Sequence, residues 1–330
     1  MGLASYVASR IFQALIVIFL VMILNFIIIS TAPGDPVQFI AGDIAIGSPE
    51  VLNYLRSRWG LDRPLHERLL IYLGNILRGD LGYSYRYSQP VASLILERLP
   101  ATLALTITSN LLAFAIGIVL GVVAARRAGE KLDNAISVFN LFLWSVPSFW
   151  LGIVLMAIFS VQLRLLPASG LMDVRNPKEG LWLYIDIAYH SFLPIATLTL
   201  ITLPLYFKIV RDTVIQQASE DYVQTYRAIG IGEGEIYRKV ILRNSIIPPV
   251  TVFAIHMGFA VAGAALIENV FGWPGVGRLL LDAIRTRDYP VIMGTYLVIT
   301  TTVIIANLIV DLLYARLDPR VKIRAESGRT

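Results

Sequence analysis

The sequence has 330 residues, of which 56% are hydrophobic and only 15% are charged, and its mean hydropathy is +0.68. A soluble domain of this length needs more charge to cover its surface, so the composition excludes one and predicts an integral membrane protein. The absence of cysteine excludes disulfides, thiolate metal sites and a thiol nucleophile. The net charge of +5 does not call for nucleic acid, because basic residues of membrane proteins gather on the cytoplasmic side.

Six apolar runs approach or exceed the roughly 20 residues that a helix needs to cross a bilayer, which predicts an all-α membrane protein. They are Ile11–Thr31, Pro100–Ala125, Asn134–Leu163, His190–Val210, Ile247–Glu268 and Val291–Tyr314. The first run could instead be a secretory signal. Its length and the poor cleavage site around Ser30 and Pro33 favour a membrane anchor.

Lysine and arginine are unevenly divided between the two sides of these spans. One side carries the whole excess of +5, through Arg10, Arg126, Arg127, Lys131, Lys208, Arg211, Arg227, Arg238, Lys239, Arg243, Arg316, Arg320, Lys322, Arg324 and Arg329. The positive-inside rule assigns that side to the cytoplasm. We therefore expect both termini to be cytoplasmic.

The outer segment after the first span predicts an amphipathic helix over Pro64–Arg78. Pro64 suits a first helical position, apolar residues recur at helical spacing, and Gly79 follows as a stop. A shorter helix is predicted over Glu50–Trp59. The longer helix either caps the bundle or offers a landing surface to an external partner, and its periodicity favours the cap.

The inner segment between the fourth and fifth spans predicts a compact knob of two short helices. Ser219 and the acids after it can cap a helix that runs to Ala228, glycines 230, 232 and 234 then break it, and a second helix covers Glu235–Arg243. These glycines follow a helix and carry no Gly-Lys-Ser/Thr, which argues against a phosphate-binding loop. Gly272–Gly277 lacks the lysine too, so the chain shows no energy source of its own.

The inner segment resembles the coupling loop of binding-protein-dependent ABC importer permeases of the dipeptide, oligopeptide and nickel family. The residues that carry the resemblance are Glu220-Asp221-Tyr222-Val223, Thr225, Arg227-Ala228, Gly230, Leu242-Arg243-Asn244 and Pro248. Four further stretches agree in order along the chain: Ala32–Pro36; Gly60–Leu65 with Gly79–Gly82; Phe271–Gly277 with Arg287–Pro290; and Asp311–Tyr314 with Leu317–Arg320. The long outer segment is most similar to the B-type subunit of the family. Tyr226 departs from the pattern, since the family usually has a small residue there.

This resemblance implies a type I ABC importer permease fold with six transmembrane helices in a prokaryotic inner or plasma membrane. The implied regions are a first helix (1–31), an extracytoplasmic segment (32–97), a permease domain (98–315, coupling loop about 211–246) and a cytoplasmic tail (316–330). The implied partners are a paralogous C-type permease, two cytoplasmic ABC ATPase subunits, an extracytoplasmic substrate-binding protein and the lipid bilayer, without nucleic acid. No cofactor, metal or catalytic residue is implied, because ATP hydrolysis belongs to partner chains.

Two sets of site residues follow. The resemblance assigns coupling to the ATPase to Glu220, Asp221, Tyr222, Thr225, Arg227, Ala228, Gly230, Ile236 and Arg243. Polar residues within predicted spans are candidates for the translocation pathway, with hydrogen bonding between helices as the alternative role. They are Asn110, Asn140, Ser145, Ser148, His256 and Asn307. Pro147, Pro194 and Pro204 are expected to permit kinks.

Two other classes of function remain open at this point. A secondary transporter or channel fits six spans equally well but leaves the knob unexplained. An intramembrane enzyme would need a paired acid or a nucleophile with its base at membrane depth, and the spans carry neither. The expected cargo is a peptide, with nickel chelates or oligosaccharides as alternatives within the same family.

Overall fold

The computed structural model describes residues 3–31, 57, 62–84, 86–260 and 264–317. Three predicted features therefore lie wholly or largely outside the described residues: the short helix Glu50–Trp59, the Ala32–Pro36 stretch and the tail beyond Leu317. The described chain divides into two compact units, one of residues 1–102, 261–265 and 274–330 and one of residues 103–260 and 266–273. Each unit is described by itself.

Within the described residues, the secondary structure is helical apart from one short two-stranded ribbon. The elements in chain order are α1 (Leu3–Thr31), α2 (Leu65–Leu77), β1 (Tyr83–Ser84), β2 (Gln89–Pro90), α3 (Val91–Arg126), α4 (Lys131–Ser145), α5 (Ser148–Met156), a π-helical turn (Ala157–Gln162), α6 (Leu181–Ala218), α7 (Asp221–Ala228), α8 (Glu233–Ile236), a second π-helical turn (Tyr237–Ile241), α9 (Leu242–Ser245), α10 (Ile247–Gly258), α11 (Ala265–Val270), α12 (Val276–Thr286) and α13 (Tyr289–Leu317). The two strands pair antiparallel.

The candidate membrane spans agree with the six predicted ones. Within the residues described, five helical stretches are long and apolar enough to cross a bilayer, and the bent pair Lys131–Ser145 and Ser148–Gln162 makes a sixth if it counts as one span. The all-α membrane fold is thereby confirmed. Helices α1, α3, α6 and α13 extend further than the predicted apolar runs, because flanking polar turns continue the backbone hydrogen bonding beyond the bilayer core.

Two predicted spans are not single straight helices. The third is bent by 102° where α4 ends at Ser145 and α5 begins after Pro147, whose missing N–H cannot continue the helix. The fifth ends at Gly258, where backbone bonds from Phe259 and Ala260 close the last turn, and α11 begins at Ala265. Pro194 and Pro204, by contrast, lie inside the uninterrupted helix α6.

The first unit gathers the motifs of the outer segment around one apolar core. Val91, Leu94 and Ile95 of α3 pack against Val276, Leu279 and Ala283 of α12 and Val291 of α13. Ser84 donates a 2.5 Å hydrogen bond to the buried Asp288 carboxylate, and the Val276 N–H donates to Thr102 Oγ1 at 2.8 Å. The stretches Gly79–Gly82, Phe271–Gly277 and Arg287–Pro290, which are far apart in the sequence, therefore contain or adjoin residues that pack together in one buried core.

The amphipathic helix predicted over Pro64–Arg78 is confirmed as α2, with Pro64 as the residue before its first turn and Gly79 beyond its end at a φ of +78°. Tyr72 packs against Phe26 of α1 with ring centroids 5.5 Å apart and accepts a hydrogen bond from Asn25. Part of the helix stays open, since Leu70 and Leu77 are 68% and 82% exposed.

In the second unit, α3 and α6 approach each other through glycines. A Cβ at Gly117 would lie 2.6 Å from Tyr206 Cβ, and one at Gly121 would lie 2.7 Å from Val210 Cβ. Real Cβ atoms do not approach this closely, so the two backbones can touch only where the side chain is absent.

We predict that Gly117→Ala forces α3 and α6 apart and lowers the free energy of unfolding in detergent by about 1–3 kcal/mol, the usual cost of overpacking. Gly74→Ala is the matched control, because nothing lies within 4 Å of the added methyl group. It should be neutral or slightly stabilising, since alanine is the better helix former. Equal stability of the two variants would contradict the close contact.

Candidate coupling site

The knob, defined here as residues 221–245, is confirmed as two short helical segments around a glycine corner. Helix α7 ends at Ala228, and Gly230 turns the chain with a φ of +83°. The second segment starts at Glu233 and continues through the π-helical turn to Ser245. A residue with a side chain rarely adopts the left-handed backbone of Gly230, so this glycine sets the corner.

Two details of the predicted knob are wrong. Ser219 does not cap α7, since its hydroxyl donates back to Gln216 O at 2.7 Å and closes the end of α6. Glu220 occupies the position before α7. Gly234 does not break a helix but lies inside α8, while Gly232 precedes it with an ordinary φ of −66°. Only Gly230 of the three has the conformation that favours glycine.

The inward side of the knob is apolar and closely packed. Val223 of α7, Ile236 of α8 and Ile241 of the following turn are fully buried against Val210 and Val214 of α6 and Ala125 of α3. Full burial of branched aliphatic side chains contributes about 1.5–3 kcal/mol each. The knob is therefore held to the ends of two membrane helices by a core of its own.

Polar contacts reinforce this core at its edges. Thr213 of α6 donates to Ser245 O at 3.2 Å, and Ser245 donates back to Thr213 O at 3.4 Å. Asn244 donates to the Tyr222 hydroxyl at 3.2 Å. The Arg126 guanidinium, at the end of α3, lies 5.1 Å from the centre of the Tyr237 ring. The contacts of Thr213 and Arg126 fix the second helical segment of the knob against α6 and α3, and the Asn244 contact fixes it against α7.

An ion pair bridges the two helical segments across the glycine corner. Arg227 Nε donates to Glu233 Oε1 at 2.7 Å, and both side chains are partly exposed. This hydrogen bond raises the pKa of Arg227 above its ordinary value, so the guanidinium stays charged. Water and salt screen a surface ion pair of this kind, so the apolar core contributes far more to the knob than this bridge.

The residues predicted for coupling divide into an outward and an inward set. Glu220, Asp221, Thr225, Ala228, Gly230 and Arg243 are exposed, Tyr222 and Arg227 are half-buried, and Ile236 is buried. Ile236 therefore belongs to the base of the knob and cannot contact a partner directly. Val223 and Ile241, which were not among the predicted coupling residues, fill the same base and could have been found from their helical spacing on the inward face.

Tyr226 and Ile229 give the outward face of the knob an apolar part. Their side chains are 36% and 67% exposed, although both are large and apolar. Each directly follows an exposed small residue, Thr225 or Ala228. The outward face therefore combines charged residues at the start of α7 with apolar ones at its end.

The pathway candidates have separate environments. Asn140 is buried and donates to Ile136 O, and Ser145 donates to Leu141 O, each a bond within helix α4. Ser148 is half-buried at the start of α5. All three belong to the second unit, whereas Asn307 is exposed on α13 in the first. The Asn140 Oδ1 atom is buried without a hydrogen-bond partner.

Asn110 and His256 belong to a polar and aromatic cluster that joins three helices. The buried Tyr206 of α6 donates to Asn110 Oδ1 of α3 at 2.8 Å, and its ring centre lies 6.0 Å from that of His256 on α10. Phe114 and Phe253 stack within the cluster, 4.6 Å apart. Tyr206 and these phenylalanines were not predicted, because aromatic residues inside an apolar span carry no periodic signal that distinguishes them.

No metal site is found in the part of the chain that the structure describes, where no three His, Cys, Asp or Glu residues come together. The arrangement of the knob instead suits a mechanical contact. It has a rigid apolar base, an exposed charged and apolar face, and a corner fixed by one glycine.

Comparisons with known proteins cover almost the whole chain. Residues 117–323 match the family described as "Binding-protein-dependent transport system inner membrane component", and residues 3–106 match the model of the N-terminal region of such components. The Di/tripeptide transport system permease protein DppB of Pseudomonas aeruginosa (strain UCBPP-PA14) is 36% identical, covering 96% of this chain and 98% of the relative. The Dipeptide transport system permease protein DppB of Escherichia coli (strain K12) is also 36% identical, covering 92% and 94%.

A solved structure supports the fold. The crystal structure of an amino acid ABC transporter with histidines superposes with a TM-score of 0.53 at 14% identity, covering 68% of this chain and 95% of that one. The family match over the knob and the spans around it, with relatives 36% identical over nearly their whole length, shows that the chain belongs to the family of binding-protein-dependent transport system inner membrane components, the permease subunits of ABC importers.

Proposed function

We propose that this chain forms half of the transmembrane pathway of an ABC importer for di-, tri- or oligopeptides and that its knob receives the motion of a partner ATPase. The observation that carries the proposal is the knob itself. A secondary transporter or channel has no use for an exposed two-helix projection with a rigid base. The relatives whose printed names specify di- and tripeptides match along nearly their whole length, which supports the peptide cargo.

The remaining subunits of the transporter complex are other chains. We propose a paralogous C-type permease for the other half of the pathway, two cytoplasmic ABC ATPases and an extracytoplasmic binding protein. The chain itself then has no catalytic step. It lies in a prokaryotic inner or plasma membrane with both termini and the knob on the cytoplasmic side, as its surplus of lysine and arginine supports.

For the ATPase contact we propose the exposed residues of the coupling set: Glu220, Asp221, Thr225, Ala228, Gly230 and Arg243. Tyr222, Arg227 and Ile236 support them from inside the knob. ATP-driven closure of the two ATPases would displace this knob and the corresponding segment of the partner permease. The spans would then change between inward-open and outward-open packing.

For the pathway we propose neutral polar side chains from the set Ser145, Ser148, His256 and Asn307. Asn140, the remaining candidate, is buried within its own unit and does not line a surface in this structure. A lining of hydroxyls, one amide and one imidazole offers hydrogen bonds to a peptide backbone without a fixed charge that would hold it. Such a surface lets a peptide pass, while the binding protein supplies most of the selectivity.

The first prediction separates an ABC importer from a secondary transporter. Vesicles holding the complete complex and its binding protein should take up a labelled tripeptide when ATP is present, and uptake should stop when the partner ATPase is inactivated while a proton gradient is maintained. Continued uptake under those conditions would identify a secondary transporter. If a nickel chelate or an oligosaccharide competed for uptake and unlabelled peptides did not, the cargo assigned to the importer would change. Its assignment as an ABC importer would stand.

The second prediction concerns the glycine corner. Gly230→Leu should abolish uptake and the stimulation of ATP hydrolysis by the binding protein, while membrane insertion stays normal. The reason is backbone strain, because a left-handed conformation costs a residue with a side chain about 1–2 kcal/mol and the corner relaxes to another shape. Gly230→Ala should show the same defect in weaker form, because it changes the backbone preference while nothing lies within 4 Å of the added Cβ.

Gly234→Ala is the matched control, since Gly234 lies in the same knob with free space around it but inside a helix. Its uptake should equal that of the unchanged protein. Normal uptake by Gly230→Leu would contradict the role of the corner in coupling.

The third prediction concerns α2. Leu70→Ser combined with Leu77→Ser removes exposed apolar surface and should weaken docking of the binding protein roughly fivefold or more, the scale of interface residues that matter. Deletion of residues 64–78 should weaken docking more than it weakens assembly. Tyr72→Phe, which alters the face toward α1, is the control. Full docking affinity in all of these variants would identify α2 as a structural cap.

A further inference from the structure

An ion pair with a buried carboxylate lies beside the knob and joins three pieces of chain next to it. The Asp133 carboxylate, at the start of α4, is only 1% exposed. Arg211 of α6 donates to it twice, from Nε to Oδ1 at 2.6 Å and from Nη2 to Oδ2 at 2.7 Å. A planar guanidinium that binds both oxygens in this way fixes orientation as well as distance.

Two further groups donate hydrogen bonds to the Asp133 carboxylate, and one of them belongs to a third piece of chain, the turn after α3. The Gly129 N–H, in the turn after α3, donates to Oδ2 at 2.9 Å, and Ser137 Oγ of α4 donates to Oδ1 at 3.3 Å. Gly129 has a φ of +84°, so this turn too has a conformation that favours glycine. Asp133 thus ties the turn after α3, the first turns of α4 and the cytoplasmic part of α6 to one another.

The same turn of α6 also holds the base of the knob. Val210 and Val214, on either side of Arg211, are buried in the core of the knob, and Thr213 exchanges hydrogen bonds with Ser245. One stretch of α6 therefore contacts the base of the knob with one face and the Asp133 carboxylate with another. Two groups of contacts on one helical turn cannot move independently.

We propose that Asp133 and Arg211 are positioning residues that make the knob, the ends of α3 and α6 and the start of α4 move as one body, so that a displacement of the knob reaches α4. This inference rests on the proposed coupling function of the knob. The alternative is that the pair only stabilises the fold. Stability alone is a weak reason for a buried ion pair, because its desolvation can exceed its attraction.

The two roles are separated by removing both charges at once. In Arg211→Gln alone, the buried Asp133 carboxylate loses its partner and complex assembly should suffer. In Asp133→Asn alone, the partly exposed Arg211 keeps Asp212 and water as partners, so the loss of assembly should be smaller. In the double variant no buried charge is left unpaired, because the carboxylate that loses Arg211, Asp212, is 55% exposed to water. The amide introduced by Asp133→Asn still offers an oxygen to the Gly129 N–H. Assembly should therefore recover in the double variant. If the pair transmits motion, the number of peptides imported per ATP hydrolysed stays low.

The experiment uses the complete complex in liposomes with its binding protein and a labelled tripeptide. The amount of assembled complex, ATP hydrolysis and uptake are measured for each variant. We expect the double variant to assemble and hydrolyse ATP, with uptake per ATP reduced roughly fivefold or more, the lower range of typical coupling. Arg211→Lys, which keeps the charge but loses the two-pronged geometry, should assemble normally and show a smaller loss of the same kind.

Asp212→Asn is the matched control. Asp212 contacts the same guanidinium at 3.4 Å, but its side chain is 55% exposed, so its loss should leave uptake per ATP unchanged. Normal uptake per ATP in both the double variant and Arg211→Lys would overturn the proposal. Absence of ATP-dependent uptake in the unchanged complex would instead count against the proposed function, so the two failures are distinguishable.

The motion itself can be measured in a complex whose partner chains have been made free of cysteine, because this chain has no cysteine of its own. Spin labels at Lys131→Cys, on the first turn of α4, and Arg238→Cys, on the knob, occupy exposed positions. In the otherwise unchanged, transport-active complex their separation should stay constant between the nucleotide-free and ATP-bound states. With the double variant it should change on ATP binding. A separation that changes already in the unchanged complex would overturn the single-body proposal.

Discussion

The close contact between α3 and α6 is the constraint from which the rest of the second unit follows. Gly117 and Gly121 let the two backbones touch, and the side chain that occupies the space beside Gly121 is Val210. Val210 also belongs to the core of the knob, together with Ala125 at the end of α3. The position of the knob is therefore set inside the membrane helices, and any separation of α3 from α6 would reach it directly.

Hydrogen bonding decides where polar groups can occur within this packing. Outside water, a carboxylate or guanidinium is tolerated only when its partners are fully supplied. Asp133 meets this requirement with four donors, and Tyr206 meets it with Asn110. Both contacts join helices that are far apart in the sequence, so each polar group also fixes which helices are neighbours.

Much of this structure could be predicted from the sequence, and what could not has a common cause. Span number and type follow from composition, and the corner of the knob follows from the glycines after Ala228. The bend after Ser145, the break after Gly258, the inward position of Ile236 and the donors of Asp133 depend on packing against other helices. Ser219 was assigned to the wrong helix end, because a serine between two helices suits either one and only the backbone geometry decides. The polar residues Asn140 and Ser145 of the third span donate hydrogen bonds within their own helix. The sequence pattern alone could not distinguish such bonds from bonds between helices.

If the knob is part of a rigid body, as proposed, the helix breaks after Ser145 and Gly258 are the places where the spans attached to that body can bend. Helix α4 leaves that body at Asp133 and ends at the bend before Pro147, and α10 continues from the knob and ends at Gly258. Continuous helices resist bending because each turn is held by its own hydrogen bonds, whereas a break has lost some of them. If the knob and the start of α4 move as one body, as proposed, a displacement of the knob would pass along α4 and would change direction most readily where α4 and α10 end. The breaks lie within the spans themselves, which is where an alternating pathway must change its shape.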